Sequence, residues 1–127
     1  MLFRSSLWYH FDELTHHYIK VIPANIGTML KPLGLAIWIM DDGYWNHGDK
    51  TVYLCTECFT ETEVNLLISV LFDNFGLIAT KTKRPLSNGE IRFRIRFSGK
   101  SDNIELLRSI VQSYFVPSML YKLNLEA

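Results

Sequence analysis

What this sequence lacks narrows it before any motif is considered. Its 127 residues carry no net charge, 13 Lys and Arg against 13 Asp and Glu, which taken alone argues against a polyanionic partner. Two cysteines occur, Cys55 and Cys58. No second Cys pair or His-x-x-x-His completes the four ligands of a structural zinc site. A thioredoxin-like role needs a strand feeding a helix in a βαβ setting, whereas Cys58 stands just before a helix cap, so two free thiols are expected. His10, His16, His17 and His47 show no ligand spacing beyond the adjacent pair. No apolar run approaches the ~18 residues of a membrane span, the longest candidate being broken by Lys31 and Asp41. The start, Met-Leu-Phe-Arg-Ser-Ser-Leu-Trp, has no acid and faintly the composition of a transit peptide, but is too short to count as one.

Against these absences stands an apolar fraction of 48%, enough to bury a real core as one globular domain over residues 1–127. The neutral total also conceals an asymmetry: residues 1–80 hold four Lys/Arg and nine Asp/Glu, residues 81–127 nine and four. Within the basic part, Lys81, Lys83, Arg84, Arg92, Arg94, Arg96 and Lys100 face the single acid Glu90 over residues 81–100. This is the half a polyanion would meet.

The stretch Leu35-Ala36-Ile37-Trp38-Ile39-Met40-Asp41-Asp42-Gly43 organises the rest. Pro32 suits a first helical turn and Gly43 a left-handed exit, so a short helix is expected between them. Its two acids then lie at the negative end of the helix dipole and beside each other, an arrangement that calls for a compensating cation, commonly a hard divalent metal. Two ordinary solvated acids are the plainer alternative.

Periodicity predicts a helix over residues 11–19 (Phe11, Leu14, Tyr18, Ile19) and a short helical turn at 25–30. Thr51–Thr56 alternates, with Val52 and Leu54 on one side and Thr51, Tyr53 and Cys55 on the other. Thr60-x-x-Glu63 is a capping box opening a helix that carries Val64, Leu67, Ile68, Leu71 and Phe75 until Gly76. Leu77–Arg84 and Ile91–Phe97 form a hairpin, sending Ile91, Phe93, Ile95 and Phe97 to a core and Arg92, Arg94 and Arg96 to the opposite face. Ser101 or Asp102 is expected to cap a last helix that Pro117 ends. The order helix, two strands, helix, two strands, helix gives an α+β fold with helices on one face of an antiparallel sheet. Three guanidiniums two residues apart repel one another across ~7 Å, so without an anion they destabilise, and phosphates are the ready anion. A charge-protected solvent face is the alternative.

Leu-Ala-x-Trp-x-Met-Asp-Asp-Gly at 35–43, with Ile22-Pro23, Cys58-Phe59-Thr60, Glu63-Val64, Phe75-Gly76 and Val116-Pro117-Ser118-Met119-Leu120-Tyr121-Lys122-Leu123, resembles the LAGLIDADG homing endonucleases over about residues 11–123. The resemblance implies an αββαββα half-domain whose saddle-like sheet lies along a DNA major groove. It further implies divalent metal, Mg2+ or another such cation, for cutting both strands. Carried over position by position, it makes Asp42 the metal ligand and Asp41 its support. Lys122 becomes the basic residue at the scissile phosphate, and Lys20 its counterpart for the other active site. Arg92, Arg94, Arg96, Lys81, Lys83 and Tyr53 would line the nucleic-acid face. The matched pattern belongs to the second half of two-motif members, so another motif helix must come from a homodimer mate or a separate chain. Gly34, Leu35, Ala36 and Ile39 would form the packed seam, although Ile37 stands where the motif name has Gly. Three functions follow: a metal-dependent duplex DNA endonuclease active as a dimer, an organellar RNA-binding maturase or scaffold, and an unrelated phosphoesterase, which the length of the match disfavours. An organelle, mitochondrion or chloroplast, is implied by the resemblance alone.

Overall fold

The computed structural model describes residues 26–126 and the backbone of residues 9–12 and 17–20. Its elements run β1 (Tyr9–Asp12), β2 (His17–Lys20), α1 (Ile26–Met29), α2 (Pro32–Asp42), β3 (Gly43–Asn46), β4 (Thr51–Leu54), α3 (Glu61–Phe75), β5 (Ala79–Pro85), β6 (Ile91–Phe97) and α4 (Ser101–Val111). Two 3-10 turns follow, at Gln112–Tyr114 and Pro117–Leu123. β1 pairs with β2 alone; the other four strands form one antiparallel sheet in the order β3-β4-β6-β5. The α+β expectation holds.

The helix expected at residues 11–19 is instead the β1–β2 pair, with Tyr9 opposite Lys20 and Asp12 opposite His17. Tyr, Phe, His and Ile favour a pleated strand over a short uncapped helix, and pairing with a neighbouring strand outweighs a weak helical spacing. Ile22-Pro23 and the amino-terminal segment lie outside the described residues.

α2 is apolar all round because it is buried all round: Gly34, Leu35, Ala36, Ile37, Trp38, Ile39 and Met40 are all buried. It shares one core with Val52, Leu54, Ile95 and Phe97 from the sheet, Leu67 and Leu71 from α3, and Leu107 and Val111 from α4, and packs directly against α4 and both 3-10 turns. α3 begins as its sequence requires. The Thr60 Oγ1 accepts from the Glu63 N–H at 3.2 Å and Glu63 Oε1 from the Thr60 N–H at 2.9 Å. It ends at Gly76 with φ 72°, the left-handed exit. Asn103, buried in the first turn of α4, clamps the sheet end: it accepts from the Ile78 N–H at 2.9 Å and donates to the Ile78 and Ser98 carbonyls, each at 3.0 Å.

Several local expectations are corrected. α4 starts after Lys100, which offers no side-chain cap, and not after a capping Ser101 or Asp102. It ends at Val111, well before Pro117, which instead opens the second 3-10 turn. Thr51, expected on the Tyr53 side, is fully buried, its hydroxyl satisfied by the Phe97 carbonyl at 2.8 Å. Ile91 is 49% exposed because β6 outruns the helices that cover its other apolar residues.

Candidate active site and nucleic-acid face

The acid pair closes α2, and the turn immediately after it is sterically fixed. Gly43 leaves in an extended conformation, φ −93° and ψ 160°, so the expected left-handed exit is not used. Glycine is needed for a different reason. A Cβ there would lie 2.7 Å from the Ile39 carbonyl oxygen and 2.8 Å from its Cγ2. The Gly43 N–H bonds that same carbonyl. Just past the end of β4, the Cys55 N–H donates to the Asp42 carbonyl at 3.0 Å. Both polar groups of the Asp42–Gly43 peptide are thus bonded, which fixes the backbone where the carboxylate of Asp42 closes the helix.

Lys122 reaches this place from the far end of the chain. The 3-10 turn Pro117–Leu123 lays it against α2, where its Nζ donates to the Met40 carbonyl. An ammonium group there opposes the negative end of the helix that closes with Asp41 and Asp42. Lys20 ends β2, opposite Tyr9; its side chain lies outside the described residues. Among the described residues no three His, Cys, Asp or Glu side chains converge into a metal-holding set. Two adjacent carboxylates nonetheless match what Mg2+ takes from a protein, since it keeps several waters and binds substrate phosphates for its remaining positions. The donor chemistry fits half of a shared site. Endonucleases of the LAGLIDADG type generally depend on such a divalent metal.

Register decides what the open sheet face carries. Thr80 pairs with Arg96, Thr82 with Arg94 and Arg84 with Arg92, so these share one face, and Tyr53, opposite Arg96, joins them with its own partner Tyr44. Lys81 and Lys83 pair with Ile95 and Phe93 and so lie on the helix side, away from the arginine row. Lys81 in fact bonds Glu61 at 2.6 Å and Asn65 at 3.0 Å on α3. Arg84 is the residue sequence reasoning missed; it is exposed and forms no ion pair among the described residues. Its signal was the hairpin register: a turn centred on residue 88 puts positions 84 and 92 opposite each other.

Carboxylates within the chain supply an anion to each of the three arginines. Arg92 meets Glu90 at 3.1 Å, Arg94 meets Glu57 at 2.8 Å and Arg96 meets Asp49 at 3.2 Å. Hydrogen bonds from Tyr53 and Arg96 hold the Asp49 carboxyl below its ordinary value, and burial pushes the Tyr53 hydroxyl up. Glu57 and Asp49 come from loops whose sequence gave no sign of where they would fold.

The proposed seam residues also have an internal role. Leu35, Ala36 and Ile39 are 0% exposed within this single chain, so they are core residues and not a bare apolar strip. α4 and both 3-10 turns pack against this helix within the chain. Cys55 is half-buried and Cys58 exposed.

Among curated proteins, the chain is 35% identical over 119 residues to the cytochrome b mRNA maturase bI2 of Saccharomyces cerevisiae, covering 94% of this chain and 27% of that protein. It is 27% identical over 124 residues to the DNA endonuclease I-ChuI of Chlamydomonas applanata, covering 96% of this chain and 56% of that one. It therefore spans only part of the length of these relatives, about a quarter of the first and about half of the second. Its fold is that of the homing endonuclease I-WcaI solved bound to its DNA recognition sequence, with a TM-score of 0.70 and 24% identity over 95% of this chain and 63% of that one. Residues 2–104, most of the chain and all of the motif helix, match the model of one family, and on that match the chain belongs to the LAGLIDADG DNA endonuclease family.

Proposed function

We propose that this chain is one half of a metal-dependent, site-specific duplex DNA endonuclease. The observation that carries this is the meeting of Asp41, Asp42 and Lys122 at the end of a buried helix, beside a sheet face bearing Arg84, Arg92 and Arg96. Phosphodiester hydrolysis needs negative charge neutralised as it develops on the phosphorus oxygens, and pre-positioned cations supply that without reorganisation. Asp42, with Asp41 in support, would hold a divalent cation, preferably Mg2+, which when bound activates water and stabilises the leaving oxygen. Lys122 would hold an ammonium group at the scissile phosphate, and Lys20 would serve the second site. Because one chain offers only half the carboxylates, activity requires a second motif helix, from a homodimer mate or a separate chain. Intron-encoded relatives support an organellar setting, a mitochondrion or chloroplast.

A second reading rests on the identity to the yeast maturase: a chain that binds structured RNA and cuts nothing. The two separate on Asp42→Asn, assayed for binding and cutting together in Mg2+ and then in Ca2+, which fills oxygen sites but commonly fails to support the chemistry. For the nuclease, binding stays near wild type while cleavage falls by a factor on the order of 10² to 10³ or more. Wild type that binds duplex tightly yet leaves it intact in Mg2+, with its second motif helix supplied, overturns the nuclease reading.

A further inference from the structure

The three arginines of the sheet face are not equivalent. The side chains of Arg92 and Arg96 are 34% and 31% exposed, and their partners Glu90 and Asp49 are 53% and 43% exposed. Solvated pairs of this kind exchange readily for another anion. Arg94 is 19% exposed and its partner Glu57 26%. Its guanidinium gives Nη2 to Glu57 at 2.8 Å and Nη1 to the Tyr44 hydroxyl at 3.0 Å, lies 5.6 Å from the Tyr44 ring centroid, and keeps Nε buried. The fork is turned into the protein. A phosphate would have to displace Glu57 and leave that carboxylate half-buried without its cation, which is costly.

What this guanidinium ties together is the exit of the motif helix. Tyr44 follows Asp42 and Gly43 directly and stacks on Tyr53 at 5.4 Å. Glu57 belongs to the segment joining β4 to α3, whose Cys55 N–H holds the Asp42 carbonyl at 3.0 Å and whose Thr56 hydroxyl holds the Phe93 carbonyl at 2.7 Å. One side chain on β6 therefore binds the strand leaving the acid pair and the loop that hydrogen-bonds it.

We infer that Arg94 is a positioning residue: with Glu57 as its fixed partner it sets, through Tyr44, where the Asp42–Gly43 peptide leaves α2, and it makes no contact with nucleic acid. The inference rests on the nuclease reading for its catalytic consequence. The competing role for the same geometry is a masked phosphate contact, with Glu57 standing where a phosphate would go. The two differ in sign. Removing the Glu57 charge would unmask a phosphate contact and tighten binding, whereas it would only loosen a positioning pair.

The test uses the full chain with its second motif helix, a randomised duplex pool for binding, and the duplex selected from that pool by cleavage. Arg84→Ala should lower the log-log salt slope of binding by about 1, as loss of one phosphate contact does. Arg94→Ala and Arg94→Lys should leave that slope unchanged, and Glu57→Gln should not tighten binding. Cleavage of bound duplex should fall about tenfold or more in Arg94→Ala and in Glu57→Gln, because small misplacements of reacting groups are costly. Lys should not rescue, since a single ammonium cannot span Glu57 and Tyr44 together. A salt slope lowered by about 1 in Arg94→Ala, or tighter binding by Glu57→Gln, overturns the inference. Should Arg94→Ala fail to fold, Tyr44→Phe decides: reduced cleavage at an unchanged slope supports positioning, and wild-type cleavage overturns it. If wild type cuts nothing, the nuclease reading fails by itself, while the slope and the Glu57→Gln affinity still decide whether Arg94 touches nucleic acid.

Discussion

Gly43→Ala should destabilise this protein by steric overlap at the end of the motif helix. The new Cβ would lie 2.7 Å from the Ile39 carbonyl oxygen, 2.8 Å from Ile39 Cγ2 and 3.1 Å from Ile39 Cα. None of these atoms can swing away freely: two belong to the backbone, and the third is on a β-branched side chain that is 0% exposed. Overpacking of a closed site costs about 1–3 kcal/mol. The obvious relief, moving β3 away, stretches the Gly43 N–H bond to Ile39, whose net worth is about 1 kcal/mol. The expected loss is therefore about 2–4 kcal/mol, a fall in Tm on the order of 10 °C for a chain of 127 residues. Backbone strain contributes nothing, because φ −93° suits alanine. Urea and thermal unfolding would measure the loss, with Gly76→Ala as the control. There φ is 72° and the added Cβ meets only Leu106 Cδ2 at 3.8 Å, so the cost is the left-handed backbone alone, about 1–2 kcal/mol. Cleavage should fall further in Gly43→Ala than stability explains, and not in Gly76→Ala. A Gly43→Ala variant within about 0.5 kcal/mol of wild type, the scatter of an ordinary surface substitution, would refute the close-approach argument.

Other outcomes follow from the same contacts. Lys122→Ala should reduce cleavage less than Asp42→Asn, because a bound divalent cation still neutralises part of the charge, and an equal or greater loss in single-turnover assays would reverse that ranking. Burial pushes the Cys55 thiol above its ordinary value, and the thiolate is the reactive form. Iodoacetamide near pH 8 should therefore label the exposed Cys58 first, with Cys55 following only as pH rises; equal rates by mass spectrometry would contradict this. Burial alone would raise the Glu57 carboxyl, but the hydrogen bond and charge of Arg94 outweigh it and leave the group below its ordinary 4.5. Its contribution to stability is thus complete above that value and is lost as pH falls through the depressed one. Glu57→Gln should remove this part of the acid sensitivity, and an unchanged acid limb in a pH series of unfolding curves would count against the pair.

By itself the sequence determined the elements whose signals are local. The capping box at Thr60, the exit at Gly76, Pro32 at the start of the motif helix and the alternation of Ile91–Phe97 all act within a few residues of chain, so pattern alone locates them. It also offered the candidates for the chemistry, since an Asp-Asp-Gly ending an apolar run and a Tyr-Lys-Leu near the other end are legible without coordinates. Tertiary structure alone decided their environment. Lys122 meets the motif helix because a 3-10 turn returns it over 80 residues later to the Met40 carbonyl, a distance in sequence that no periodicity spans. Strand register put Arg84 in the arginine row and Lys81 and Lys83 behind it, because a shift of one residue changes the face of every side chain. Burial of Leu35, Ala36 and Ile39 depended on elements distant in the chain, α4 and the 3-10 turns after it, packing against one helix. The acids that hold Arg92, Arg94 and Arg96 come from two hairpin turns and one loop, whose paths are set by packing. Charge composition is a property of the chain, whereas charge pairing is a property of the fold.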